Sequence, residues 1–239
     1  MEAVTHGLYD DMLKQTHVLI AGATGSGKSV VINGMIYNAL FSSDDKIKFI
    51  LIDPKRVELA LYRNLPHTIC YASEPETMIA ALDRAMNIVE SRYDAMQRDG
   101  VRKYRGSHIY VIIDELADLM TTCRKQVQPL IQRLCQIGRA ANVHVIAATQ
   151  CPLAAVIPTP IKVNFDCIMG LHTRCRRDSI NIMEEAGCEE LPRYGYGYYR
   201  RPERTSLVEI PMYNDDEIET LVNFRLAEAR GAELARRIA

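Results

Sequence analysis

Several things are missing from this chain of 239 residues, and each absence removes a class of function. Net charge is nearly absent: 29 Lys and Arg against 30 Asp and Glu leave −1. That excludes a global basic field, so a polyanionic partner has to be held by local patches. No apolar run approaches the roughly 18–20 residues that a membrane span needs. Residues 1–16 are polar and include Asp10, Asp11 and Lys14, which excludes a secretory leader there. Among seven cysteines there is no C-x-x-C, and the number is odd. A zinc site and a disulfide framework are both disfavoured, and the cysteines read as reduced, packed thiols of a cytoplasmic protein. No repeat, low-complexity tract or clean linker occurs, so a single core domain is expected. What is present suits a soluble globular chain: 48% of residues are apolar and 25% charged.

Short apolar runs alternate with helical patterns, which is the signature of an α/β fold with a mostly parallel sheet. Strands are predicted over residues 17–21, 48–52, 109–113, 143–148 and 167–171, with edge strands over 194–199 and 206–210. Helices are predicted over 28–40, 127–141 and 178–186. Another starts near Ser73, with Ser73 and Glu76 as a capping box, and ends at Gly100. Its inward residues Met78, Leu82, Ala85, Met86, Val89, Tyr93 and Met96 recur at helical spacing. Residues 151–162, with Pro152, Pro158 and Pro160, read as a loop. Asp215 is expected to cap a last helix to about Ile238, weakened by Gly231. The division implied is a short segment 1–16, a core 17–212 and a terminal helix 213–239.

Residues 22–29 read Gly-Ala-Thr-Gly-Ser-Gly-Lys-Ser, a full match to G-x-x-x-x-G-K-[ST]. The pattern lies between a predicted strand and a predicted helix, which is the context a phosphate loop requires. Gly22, Gly25 and Gly27 let the backbone curl, and the N–H groups of residues such as Thr24, Ser26 and Val30 can then line an anion nest. The helix adds its positive end. Lys28 is assigned to the β and γ phosphates and Ser29 to Mg²⁺, so ATP and Mg²⁺ are the expected ligands.

A buried strand then runs straight into Asp114-Glu115. Asp114 is read as the Mg²⁺ carboxylate, often acting through water, and Glu115 as the general base that polarises the attacking water. Two adjacent acids at a buried strand end repel each other without a cation, which favours a metal site. A second acid beside the magnesium acid suits hydrolysis rather than kinase chemistry. Gln150 ends the next strand and is placed to sense the γ-phosphate.

With these residues placed, the chain resembles the motor core of the FtsK/SpoIIIE family of DNA translocases over about 17–212. The resemblance rests on "HVLIAGATGSGKSVVINGMI" (17–36), "FILIDPKRVELALY" (49–62), "RYDAMQRDGVRKY" (92–104), "VIIDELADLM" (111–120) and "LCQIGRAANVHVIAATQ" (134–150). It implies a RecA-like P-loop NTPase that assembles as a ring, usually a hexamer, with double-stranded DNA through the centre. The ATP site would lie between subunits, and the family's trans-acting arginine falls at Arg139. Cys151, Thr16 and Ile180 depart from the family pattern. A membrane anchor or DNA-reading module would come from a partner.

Three basic clusters are candidates for DNA contact: Arg98, Arg102, Lys103 and Arg105; Arg174, Arg176 and Arg177; and Arg193, Arg200, Arg201 and Arg204, the last interleaved with tyrosines. The leading expectation is an ATP-driven DNA pump for chromosome segregation or conjugation. The alternatives are a protein-secretion ATPase of related type and a nucleotide-dependent assembly module.

Overall fold

The computed structural model describes residues 7–42, 46–151, 153 and 156–238, with the side chains of 233 and 235–238 left aside. Residues 1–6 of the short first segment, and 152, 154 and 155 of the expected loop, lie outside that description.

Eight strands form one sheet: β1 (His17–Ala21), β2 (Ile47–Ile52), β3 (Thr68–Ala72), β4 (His108–Ile113), β5 (Val143–Thr149), β6 (Cys167–Gly170), β7 (Tyr196–Arg201) and β8 (Arg204–Glu209). Their order is β3-β2-β4-β5-β1-β6-β7-β8. The run from β3 to β6 is parallel, and β7 and β8 extend it as an antiparallel hairpin. β1, β4 and β5 are buried almost end to end and mostly apolar because helices cover both their faces.

Alternation along each strand assigns residues to two cores. Leu19, Ile50, Val111 and Val145 face one layer, built from α3 (Pro75–Asp99), α4 (Leu116–Thr122) and α5 (Arg124–Ile137). Val18, Leu51, Ile112 and Ile146 face the other, built from α1 (Leu8–Lys14), α2 (Lys28–Phe41) and α8 (Asp215–Ile238). α6 (Thr159–Lys162) and α7 (Arg176–Met183) are short. α1 docks on α2 at Gly34, where any Cβ would overlap the Tyr9 ring. Tyr9 then donates to the Pro211 carbonyl at 2.5 Å, and Arg225 of α8 donates to the Leu40 carbonyl from Nε at 3.1 Å.

Several sequence expectations need correction. Glu74, not Ser73, is the N-cap of α3, and the Thr77 hydroxyl, not Glu76, accepts its backbone N–H at 3.0 Å. α8 is capped by Asn214, whose Oδ1 accepts from Glu217 N at 2.9 Å while Glu217 accepts from Asn214 N at 2.8 Å. Asp215 is the first helical residue, and the helix passes through Gly231. The expected loop 151–162 contains the single turn α6, started by Pro160 in its first turn. α5 stops at Ile137, so Arg139 lies in the turn before β5 rather than at a helix end. α7 ends at Met183 rather than 186, and its C-cap Glu184 adopts φ 66°.

Two histidines sit in the sheet's lower rim. His17 and His144 are 1% and 7% exposed, and burial is the main reason both fall to about 4. His144 donates Nδ1–H to the Thr16 carbonyl at 3.0 Å and receives His108 Nδ1–H on Nε2 at 3.0 Å. His17 Nδ1 receives the Val145 N–H at 2.9 Å. Both are therefore neutral in the fold, while an unfolded chain protonates them near 6.5. Stability from this source is complete above the unfolded value and is lost as pH falls toward the folded one. About 2 kcal/mol per histidine should be gone by pH 5. Urea melts at pH 7 and pH 5 measure this; His144→Asn should shrink the drop, and an unchanged midpoint would contradict it.

Candidate functional site

The carboxyl ends of the parallel strands gather at one rim, where open α/β sheets bind ligands. β1 lies between β5 and β6, with Ala21 beside both Thr149 and Gly170. The segment leaving β1 is pinned from both sides: Gly22 N donates to Thr149 O at 3.3 Å and Ala23 N to His172 O at 2.8 Å. It then curls through Gly25 at φ 72° and Gly27 at φ 98°, the left-handed region where a side chain is strained. The first helical bond of α2 is Val31 N to Gly27 O at 3.1 Å. The N–H groups of Lys28, Ser29 and Val30 therefore belong to the unpaired first turn, the end that attracts anions. At Gly22 a Cβ would come within 2.5 Å of Ser26 Oγ, so only glycine fits.

Lys28 is 8% exposed, and its ammonium lies on the loop itself, donating to Gly22 O at 2.9 Å and Ala23 O at 2.8 Å. Burial lowers it to about 8, partly opposed by the Glu115 and Asp114 carboxylates. Ser26 Oγ is buried without a hydrogen-bond partner among the described residues. Thr24, on the exposed side, donates Oγ1 to Gln150 Oε1 at 2.6 Å.

Asp114 and Glu115 follow β4 on the same rim, 7% and 3% exposed. Burial pushes Asp114 up to about 7, and the Glu58 and Asp53 carboxylates add to that while Lys55 opposes it. A cation beside this carboxyl would favour its ionised form. Glu115 is tightly held. It caps α4 by accepting from Ala117 N at 3.3 Å, receives Gln150 N at 3.2 Å, and pairs with Lys55 Nζ at 3.4 Å. Asp53 and Lys55 lie within residues 49–62, one of the blocks that carry the family resemblance. Asp53 is fully buried and receives Leu59 N at 3.0 Å and the Tyr71 hydroxyl at 3.2 Å, which fixes the loop that presents Lys55.

The donor set fits a magnesium nucleotide. Among the described residues no group of three or more His, Cys, Asp or Glu could hold a metal alone. A hydroxyl at Ser29 and one carboxylate at Asp114, completed by phosphate and water oxygens, is what Mg²⁺ takes. The orphaned Ser26 hydroxyl and the unpaired helix start fit phosphate oxygens.

Arg139 is elsewhere. It sits in the turn before β5, exposed, beside a cavity of about 420 Å³ that it shares with Lys14, Lys103, His108 and His144. β5 has seven residues, which at ~3.3 Å each puts roughly 20 Å between this turn and the phosphate-loop rim. The third basic cluster also separates. Arg200 pairs with Glu184 at 3.1 Å and Arg201 with Asp11 at 3.1 Å, so both serve the fold. Tyr199 is buried and donates to Asp11 Oδ2 at 2.7 Å.

The chain matches the FtsK/SpoIIIE family over residues 2–110 and 105–154. It belongs to that family. A DNA translocase FtsK 1 of Neisseria meningitidis serogroup B is 34% identical, aligned over 92% of this chain and 31% of the relative. A DNA translocase FtsK of Streptococcus pneumoniae is 35% identical over 92% of this chain and 32% of its own length. The chain thus spans about a third of the curated relatives it matches. Among solved structures, the pCW3 conjugation coupling protein TcpA with ATPγS superposes with a TM-score of 0.78. It is 22% identical, with 90% of this chain and 66% of that one covered. EssC (ATPases 2 and 3) from Geobacillus thermodenitrificans gives 0.76 at 17% identity, covering 95% and 46%. At those identities the structures speak for the fold, a mostly parallel sheet of P-loop ATPase type. No helix of the described residues is long and apolar enough to cross a membrane.

Proposed function

We propose that this family member hydrolyses ATP to drive double-stranded DNA through a ring of identical subunits. The observation that carries the reading is the meeting of the curled 22–27 backbone, buried Lys28 and the Asp114-Glu115 pair at one rim, with Arg139 on the opposite rim. Such an arrangement is incomplete in one chain and complete when the lower rim of a neighbour meets it.

In this reading the loop N–H groups and Lys28 bind and orient the triphosphate. Ser29 and Asp114 hold Mg²⁺, which supplies neutralisation of phosphate charge when bound. Glu115, kept in place by Lys55, Ala117 and Gln150, takes the proton from attacking water. Gln150 bonds through its backbone to Glu115 and through its side chain to Thr24, so it relates the phosphate loop to the base. Arg139 of a neighbouring copy neutralises charge developing on the transferred phosphoryl group.

Phosphate release measured with and without linear duplex DNA, at two salt concentrations, tests the motor reading. Strong stimulation that fades with salt is expected. Turnover indifferent to DNA and raised by a peptide would favour the secretion alternative. Glu115→Gln preserves most of the cap geometry, so ATP binding should persist while turnover falls about 10²–10³-fold. Full turnover in that variant would remove Glu115 from the chemistry.

A further inference from the structure

The guanidinium of Arg193 lies against the phosphate loop of its own chain. A Cβ at Gly25 would meet Arg193 Nη2 at 3.3 Å, Nε at 3.8 Å and Cζ at 4.0 Å. Gly25 is at φ 72°, so the absent side chain is what lets an arginine approach this backbone.

Arg193 is brought there by a built connection. His172 joins the two segments: its carbonyl accepts Ala23 N of the phosphate loop at 2.8 Å, and its Nδ1–H donates to Leu191 O at 2.8 Å. Leu191 and Cys188 are buried in the core and anchor the segment below. Pro192 restricts the backbone just before Arg193.

No carboxylate of the described residues neutralises this charge. Among the described residues Arg193 has no ion-paired carboxylate, in contrast to Arg200 and Arg201 on the following strand. Its one ring contact is Tyr194, 5.7 Å from the guanidinium to the ring centroid, and Tyr194 is itself 63% exposed. An unpaired guanidinium beside an anion nest is a ready phosphate ligand. Its planar fork can make two parallel bonds to phosphate oxygens, which the ammonium of Lys28 cannot.

We infer that Arg193 is a same-chain phosphate ligand, contacting the bound nucleotide from the Gly25 side of the loop. This rests on the nucleotide reading above and adds to it a residue that neither the phosphate-loop motif nor the acid pair contains. It also makes Arg193 a nucleotide residue rather than part of a DNA-binding cluster.

Binding of a fluorescent non-hydrolysable ATP analogue, with no turnover involved, tests this on the whole chain. Arg193→Gln should weaken the complex about tenfold, and Arg193→Lys should recover part of that because charge returns without the fork. Melting temperature should stay within about 2 °C, since no ion pair of the fold is lost. An Arg193→Gln affinity within about twofold of wild type overturns the inference. So does loss of duplex-DNA affinity with nucleotide affinity unmoved. Lys28→Ala in the same assay separates the two readings. If Lys28→Ala abolishes binding and Arg193→Gln does not weaken it, only the Arg193 inference fails. If wild type does not bind the analogue, the nucleotide reading itself fails.

Discussion

Lys28→Ala should cost roughly three orders of magnitude in ATP turnover and most of the ATP affinity, without loss of fold. The second half of that expectation follows from burial. Lys28 is held at about 8 against an ordinary 10.5, so its ionised form is disfavoured by the fold. Between those values the unfolded chain binds more protons, and stability gained from the neutral amine is present at high pH and lost as pH falls through the folded value. At neutral pH the ammonium is therefore kept at a cost, and truncating it should leave the melting temperature unchanged or higher. Calorimetry beside an activity assay distinguishes the cases. Wild-type turnover would end the phosphate-loop reading, and a large drop in melting temperature would assign the lost activity to unfolding.

Arg139→Ala should keep nucleotide affinity and lose about 10³-fold in hydrolysis. If Arg139 acts on the phosphate as proposed, the sheet places that action between copies. Arg139 and the phosphate loop lie at opposite ends of parallel strands, too far apart to act on one phosphate within one chain. Mixing Arg139→Ala with Lys28→Ala subunits should thus restore part of the turnover. An intact loop on the first variant can then meet an intact arginine on the second. Phosphate release across mixing ratios gives the result, and no recovery at any ratio would leave the intersubunit role without support.

The candidate site was legible in sequence where a local pattern supplies its residues. Residues 22–29 need only their own backbone to curl, and Asp114-Glu115 follow a strand whose apolar run marks it as buried. What escaped was decided by distant contacts. Lys55 reaches Glu115 across 60 residues, and nothing in the local text of 53–55 says which acid it meets. Arg193 approaches Gly25 only because β6 and the following segment fold back beside β1. β3 was missed because Thr68–Ala72 is a short edge strand, mostly half-buried and without clean alternation. α4 escaped because its seven residues begin at the acid pair, and its start depends on Glu115 as a cap. α1 is polar in sequence and owes its place to Tyr9 packing on Gly34.

The rims of the sheet are unlike one another: one presents the curled phosphate-loop backbone, Lys28 and the Asp114-Glu115 pair, the other the turn that carries Arg139 beside Lys14, Lys103 and His108. If subunits join rim to rim, as proposed, they meet through two different surfaces, so the contact is heterologous and carries no twofold axis. A closed assembly built this way points every protomer the same way round. Its two mouths then differ chemically, and a duplex threaded through it would encounter a built-in sense of travel.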